Sequence, residues 1–336
     1  MTTGVFDRLT PEFVITAVEQ ILNIGLYGTI VPYPSYINRV YGLTDDAGRE
    51  LVVKFYRPGR WSEDAILDEH QFIMDLDDDE IPVAVPVKDG DGETLFEAEA
   101  VTPEGETSFY FTVFPRRSGR NFDINEQNDW LRLGRLIARM HTAGRKREAF
   151  HRIPCLPGET TRQYINELRN DGLIHPECLE DFNRITETML DRIIPLFTDI
   201  DLHRVHGDCH RGNILDRPGE GLLLIDFDDM MRGPAVQDLW LLLPDHAQHA
   251  LGELSLLLTG YQDFLRFDRE ELKLIEPLRF MRIIYFLVWC ARQRNDTGFK
   301  TAFPSWGGKA FWQKEVEDLE EQAKIIFNEP DISRLV

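Results

Sequence analysis

His206–Asp229 reads HGDCHRGNILDRPGEGLLLIDFDD, and the rest of the chain is best placed relative to it. The stretch begins as a tight polar loop, continues as a short β-hairpin and closes on a strand ending in three carboxylates, Asp226, Asp228 and Asp229. Asp208 and Asn213 stand in the loop at the spacing D-x-x-x-x-N, and Asp226 follows directly on the apolar run Leu222, Leu223, Leu224, Ile225. An acid, an amide and a second acid on adjoining loops are the parts a phosphoryl-transfer site needs. One carboxylate orients or deprotonates the accepting hydroxyl, and two oxygen ligands hold a divalent metal on the nucleotide phosphates. D-x-x-x-x-N alone occurs by chance. H-G-D-x-H-x-x-N-I-L followed by I-D-x-x-D is far more restrictive, because each half limits the other.

Such a site also needs a fixed cation, and the N-terminal third supplies one. Glu50–Tyr56, ELVVKFY, has the β-branched and aromatic content of a strand, with Lys54 inside it. A lysine there requires a solvent edge or a carboxylate partner. Ser62 caps the next helix, whose first turn holds Glu63 and Asp64; Ile66, Glu69 and Ile73 then share one face. An inward Glu69 and an inward Lys54 are best satisfied by each other, either as a purely structural ion pair or as part of the site.

Composition shifts along the chain. Thr10, Pro11 and Glu12 open a helix that should run to about Asn23 and stop at Gly25. PYPSYINRVYGL reads as a loop leading into a strand, Ile81–Val87 as an edge or irregular strand broken by prolines, and Ser108–Phe114 as a buried strand stopped by Pro115. Beyond Pro115 helices dominate: about Ile124–His141, Thr161–Asn170, Pro176–Phe197, the segment AVQDLWLLL after Gly233-Pro234, His249–Phe267, Arg269–Gln293 and Lys309–Phe327. The reading is an α+β chain of two lobes. Residues 1–115 form a small β-rich lobe with one long helix on its sheet, and residues 116–336 a larger, mostly helical lobe, with the cleft beside Pro115.

The 336 residues carry 37 Lys and Arg against 58 Asp and Glu, a net charge of −21, the wrong sign for a broad nucleic-acid or anionic-membrane surface. Cys155, Cys178, Cys209 and Cys290 are scattered without C-x-x-C spacing, which argues against a zinc site or a disulfide framework. The N-terminus lacks a signal-peptide profile, and the most apolar helical run, Phe280–Ala291, is short and interrupted by Arg282. A cytoplasmic protein is expected. His206, Cys209 and His210 beside Asp208 raise the alternative of a transition-metal site, but no further ligand stands at a recognisable spacing. Asp208 could instead be no more than a turn or helix-cap residue, Asn213 a brace of the loop through backbone hydrogen bonds, and Asp226 a cap at the strand end.

HGDCHRGNIL with LLLIDFDD resembles the aminoglycoside phosphotransferase and choline kinase branch of the protein-kinase-like fold. NRVYGL, VVKFYRPGRW, DEHQF, PVAVPV, GPAVQDLW and IEPLRFMR further resemble the bacterial stress response kinase A group, over nearly the whole chain. That resemblance implies a monomeric, ATP- and Mg²⁺-dependent kinase acting on Ser or Thr hydroxyls of proteins, itself included, in envelope or oxidative stress. By matched position it makes Asp208 the catalytic acid, Asn213 and Asp226 the metal ligands, and Lys54 and Glu69 the strand lysine and its helix partner. Ser35 falls in the loop over the phosphates, and Val113-Phe114 at the hinge that takes the adenine edge. Two departures from the eukaryotic kinases stand out. No G-x-G-x-x-G precedes Lys54, and Gly233-Pro234 follows Asp226-Phe227-Asp228 too closely for a long activation loop. A small-molecule acceptor of the aminoglycoside, choline or homoserine type shares the same core and is the alternative; a nucleotide-sensing pseudokinase is the non-enzymatic one.

Overall fold

A computed structural model describes residues 5–102, 105–328 and 330–336. The first helix, α1 (Pro11–Leu22), starts where Thr10 Oγ1 accepts the Phe13 N–H at 3.2 Å. It ends at Asn23 in the left-handed conformation, so the expected stop at Gly25 moves two residues forward. Five antiparallel strands follow: β1 (Val31–Tyr33), β2 (Arg39–Thr44), β3 (Glu50–Phe55), β4 (Phe96–Thr102) and β5 (Gly105–Pro115), in the spatial order β1-β2-β3-β5-β4. Between β3 and β4 runs α2 (Glu63–Asp78), capped by Ser62 Oγ on the Ala65 N–H at 3.2 Å.

Ile81–Val87 is not a strand of this sheet. Pro82 and Pro86 have no N–H to give a ladder, and the segment is held by an isolated parallel bridge from Val83 to Leu224 and by the Val87 N–H on the Val113 carbonyl at 2.7 Å. Strand β4 escaped the sequence reading. Its inward positions, Phe96, Ala98 and Ala100, alternate correctly with Glu97 and Glu99, but two of the three are small.

The sheet lobe has its own core, in which Val14 and Val18 of α1 meet Val53, Phe55, Phe109, Phe111 and Val113. Helix α2 behaves differently. Its Phe72, Ile73 and Leu76 join the larger core of the helical lobe, while Glu69 and His70 turn towards β3 and Tyr56. The one element that carries the lysine's partner is therefore fastened to both lobes.

The helical lobe begins with β6 (Arg120–Asn121) and α3 (Gln127–Gly144). This helix starts three residues later than its apolar pattern suggests, because Glu126 and Asp129 form a reciprocal capping box. Next come α4 (Arg162–Asn170), α5 (Leu179–Ile193), β7 (His203–Val205), the hairpin β8 (Ile214–Arg217) and β9 (Gly221–Leu224), and β10 (Met231–Gly233), which pairs with β7. Helix α6 (Val236–Trp240) is shorter than AVQDLWLLL suggested, with Pro244 close behind it. The lobe closes with α7 (Leu251–Tyr261), α8 (Ile275–Gln293), α9 (Thr297–Ala302) and α10 (Lys309–Asn328). Residues Arg269–Leu274, expected as the start of α8, wind as a 3₁₀ helix. No helix among the described residues is long and apolar enough to cross a membrane.

Candidate active site

Strand β3 delivers Lys54 to the cleft with its side chain almost fully buried, and four neighbours fix it there. Nζ lies 3.2 Å from Glu69 Oε1, 3.0 Å from Asp228 Oδ1 and 3.6 Å from Asp226 Oδ1, and 4.6 Å above the Tyr56 ring. Burial works against a charge at this point, but the Asp228 and Glu69 carboxylates outweigh it and hold the lysine well above its usual pKa. Glu69 gives its other oxygen to Arg152, at 2.8 Å. Arg152 is itself buried, spans to the carbonyls of Ala65 (2.6 Å) and Asp228 (2.7 Å), and lies 4.3 Å above the Trp61 ring. Arg60, from the loop between β3 and α2, closes the set from the other side. It contacts Asp228 Oδ2 and Asp229 Oδ1, each at 2.6 Å. Asp228 is thus a buried bridge between two cations, and its acidity follows. Burial raises its pKa, but Arg60 and Lys54 carry it far below the ordinary carboxylate range.

The polar loop between β7 and β8 is shaped from beneath by Asp238 of α6. Asp238 accepts the N–H of His206 at 2.7 Å and of Gly207 at 2.9 Å, and pairs with the buried His141 at 3.0 Å. Gly207 has φ +81°, and a Cβ there would sit 2.1 Å from the Asp229 carbonyl oxygen, so only glycine passes. His206 donates from Nε2 to the Ile225 carbonyl at 3.0 Å, tying the polar loop to the end of β9. Asn213 turns its amide nitrogen onto the Asp208 carbonyl at 3.0 Å, which aims its side-chain oxygen away from the loop. Strand β9 ends at Leu224, and Asp226 two residues on adopts the left-handed conformation (φ 62°), turning its carboxylate, 57% exposed, into the cleft.

Two cavities flank these residues. The first, about 420 Å³, is lined by Ser35, Val52, Lys54, Glu69, Phe114 and Asp226 among others. Ser35, Lys54, Glu69, Phe114 and Asp226 thus share one cavity, under the β1–β2 loop. Val113 is not. Its side chain lies in the sheet core and its carbonyl is taken by the Val87 N–H, so the strand end facing the cavity is Phe114–Arg117. The second cavity, about 540 Å³, opens between the lobes on the other side of Arg60. Arg60, Trp61, Tyr164, Asp229, Arg282 and Tyr285 are among its walls. It is roofed by an ion pair between Arg57 and Asp296 and by Tyr36 against Trp289, ring centroids 6.1 Å apart.

Asp208 lines neither cavity directly. Arg282 of α8 stands between it and the second, with Nη2 at 2.7 Å from Asp208 Oδ1. His210 Nε2 approaches the other oxygen at 3.5 Å. Burial pushes the Asp208 pKa up, but His210 and Arg282 more than reverse this and leave it ionised well below the usual range. The Cys209 thiol is driven the opposite way by burial and is no nucleophile.

The oxygen set available to a divalent cation, the Asn213 amide oxygen and the Asp226 carboxylate, suits Mg²⁺. That ion takes few protein ligands and completes its shell with phosphate oxygens and water. No cluster of three or more His, Cys, Asp or Glu able to cage a metal occurs among the described residues.

Four residues of this site were not legible as such: Arg60, Arg152, Arg282 and Asp238. Arg282 left a trace, as a lone charge within the apolar run Phe280–Ala291.

The model of the phosphotransferase enzyme family matches residues 29–275. Stress response kinase A of Escherichia coli K12 is 38% identical over 330 residues, 97% of this chain and 96% of that protein. The chain belongs to this phosphotransferase family, in its stress response kinase A group. A Salmonella typhimurium relative named serine/threonine protein kinase RdoA is 37% identical, again over 97% of this chain and 96% of its own length. Among solved structures, amicoumacin kinase in complex with AMP-PNP, Ca²⁺ and its ligand superposes with a TM-score of 0.73 at 21% identity, covering 95% of this chain and 96% of that one. A microcompartment-associated aminopropanol kinase follows at 0.66 and 17%, covering 96% and 100%. The kinase-like fold, a small sheet lobe on a helical lobe, is shared with both, and the chain is a phosphotransferase of kinase type.

Proposed function

We propose that the protein transfers the γ-phosphoryl group of ATP to Ser or Thr hydroxyls of proteins, itself among them, as part of a bacterial stress response. The observation that carries the reading is the convergence of Lys54, Glu69 and Asp226 on one cavity with Asp208 next to the other, the arrangement that phosphoryl transfer requires. ATP occupies the 420 Å³ cavity, its adenine edge against the strand end Phe114–Arg117 and its phosphates beneath Ser35. Lys54, held by Glu69, contacts phosphate oxygens. Asn213 and Asp226 would hold Mg²⁺, which would neutralise charge on the phosphates. Asp208, ionised at neutral pH, orients the acceptor hydroxyl from the 540 Å³ cavity and takes its proton. The enzyme acts as a cytoplasmic monomer; its four cysteines are free and buried, in keeping with a reducing compartment.

The test is transfer from γ-labelled MgATP by the purified protein to a generic acceptor protein and to itself, with the phosphorylated residues mapped. Phosphoserine or phosphothreonine, lost in Asp208→Ala, is the expected result. Full transfer by Asp208→Ala overturns the assignment.

A second reading, a small alcohol as acceptor, is favoured by one feature. The roof formed by Arg57–Asp296 and Tyr36–Trp289 leaves the second cavity the size of a small molecule rather than an open peptide groove. Saturable turnover on one metabolite, with no protein labelled, selects it.

A further inference from the structure

Arg282 sits on α8 among the apolar residues Phe280, Met281, Ile283, Ile284 and Leu287. Its Nη2 donates to Asp208 Oδ1 at 2.7 Å, and its guanidinium carbon lies 5.0 Å above the Tyr285 ring. Tyr285 in turn donates to Asp229 Oδ1 at 2.8 Å, so the ring that carries Arg282 is itself fixed. A guanidinium has five N–H donors in a planar fork. Among the described residues only the one to Asp208 is committed to a protein hydrogen bond, and the group forms part of the wall of the 540 Å³ cavity.

The charge balance during transfer gives this fork a task. Before reaction, Arg282 is neutralised by Asp208. As the acceptor O–H bond breaks, its proton passes to Asp208, whose negative charge disappears. The acceptor oxygen forms its bond to the γ-phosphorus, and the bond to the β–γ bridging oxygen breaks, its electron pair leaving with ADP. Negative charge is spread at that moment over the equatorial oxygens of the moving phosphoryl group, while Arg282 has just lost its partner. An acceptor oxygen hydrogen-bonded to Asp208, at about 2.6–3.2 Å, lies within one side-chain rotation of the guanidinium.

We propose that Arg282 is a catalytic residue of this enzyme, passing from Asp208 to the phosphoryl group in transit and stabilising the charge that develops there. The proposal rests on the reading of Asp208 as the proton acceptor. The rival account of the same contact is a plug that merely covers Asp208, and the two predict opposite signs.

The experiment compares Arg282→Ala, Arg282→Lys and Asp208→Asn with the parent enzyme, using γ-labelled MgATP with casein as acceptor and, in parallel, transfer to water as ATP hydrolysis. Arg282→Ala is expected to lose about 100- to 1,000-fold in kcat, the scale of one removed oxyanion donor. Its KM for ATP should be unchanged, because Arg282 does not line the nucleotide cavity. Millimolar guanidinium should restore part of the loss, and Arg282→Lys should fall between alanine and the parent. A kcat equal to or above the parent's in Arg282→Ala overturns the proposal in favour of the plug. So does a loss confined to the KM for ATP. Should the alanine variant fail to fold, Arg282→Lys decides: a parental kcat in that variant sinks the requirement for a planar fork. Undiminished turnover by Asp208→Asn would instead overturn the underlying assignment of the base, leaving the Arg282 result separately readable.

Discussion

Lys54 Nζ lies nearer to Asp228 than to Asp226, at 3.0 against 3.6 Å. The two acids of I-D-x-D therefore differ in kind. Asp226 points a largely exposed carboxylate into the 420 Å³ cavity, whereas Asp228 is buried as the counter-ion shared by Lys54 and Arg60.

Substitutions at the two positions are expected to separate stability from activity. Asp228→Ala leaves two buried cations without their common partner and should cost on the order of 3–5 kcal/mol in urea denaturation, the penalty for breaking a buried ion pair. Asp226→Asn should change stability by less than about 0.5 kcal/mol, as at an exposed position, and abolish Mg²⁺-dependent transfer. A normally stable Asp228→Ala protein would show that Lys54 and Arg60 are satisfied by other means.

The contrast also marks what a sequence can and cannot disclose. Asp208, Asn213, Asp226, Lys54 and Glu69 were readable because each lies at a fixed spacing within a short motif or on the wrong face of its own element. Asp228 was visible but unassigned, since its partner Arg60 comes from a loop 168 positions away in sequence. Arg152 and Asp238 serve backbone groups, Ala65, Asp228, His206 and Gly207, and a bond to a main-chain atom leaves no complementary residue type to find. A small sheet lobe followed by a larger helical one was legible in the change from strands to helices along the chain. The irregular course of Ile81–Val87 was not, because its apolar residues look the same in a ladder and in an isolated bridge.

Arg152 is expected to matter for nucleotide affinity without touching the nucleotide. It holds Glu69 Oε2 while Lys54 takes Oε1. Arg152→Met should loosen Glu69 and expose Lys54 to competition between its carboxylates. The expected result is a raised KM for ATP together with a loss of stability on the order of 3 kcal/mol or more, since Glu69 is left with an unpaired oxygen in the interior. Equilibrium binding of a non-hydrolysable ATP analogue reads the first, and denaturation the second. Unchanged analogue affinity would mean that Lys54 alone fixes Glu69.

Gly207→Ala tests the loop geometry itself. The left-handed backbone and the 2.1 Å approach to the Asp229 carbonyl leave no room for a methyl group. The loop must shift away from Asp238, carrying Asp208 with it, at a cost of about 1–3 kcal/mol for the strained backbone. Turnover should fall more steeply than ATP affinity, because Lys54 and Ser35 are untouched. Parental kcat in a folded Gly207→Ala protein would show that Asp208 does not need this loop conformation.

The last expectation concerns pH and reaches the catalytic loop from below. Glu271 is buried, and its Oε2 accepts the N–H of Val236 at 3.0 Å, at the start of the helix that carries Asp238. Burial raises its pKa from 4.5 to about 7, against the lowering effects of the Val236 N–H and of Arg145, and with Asp268 and Asp201 adding to the rise. The folded state thus binds a proton that the unfolded chain has already released between these two values, so stability falls as pH rises through that window. The full effect is on the order of 3 kcal/mol. Glu271→Gln keeps a carbonyl oxygen for the Val236 N–H but has no proton to lose. Thermal melts from acid to neutral pH should show the parent losing Tm across the window, while the variant stays flatter and ends higher at neutral pH. Parallel curves for the two proteins would place the titration elsewhere.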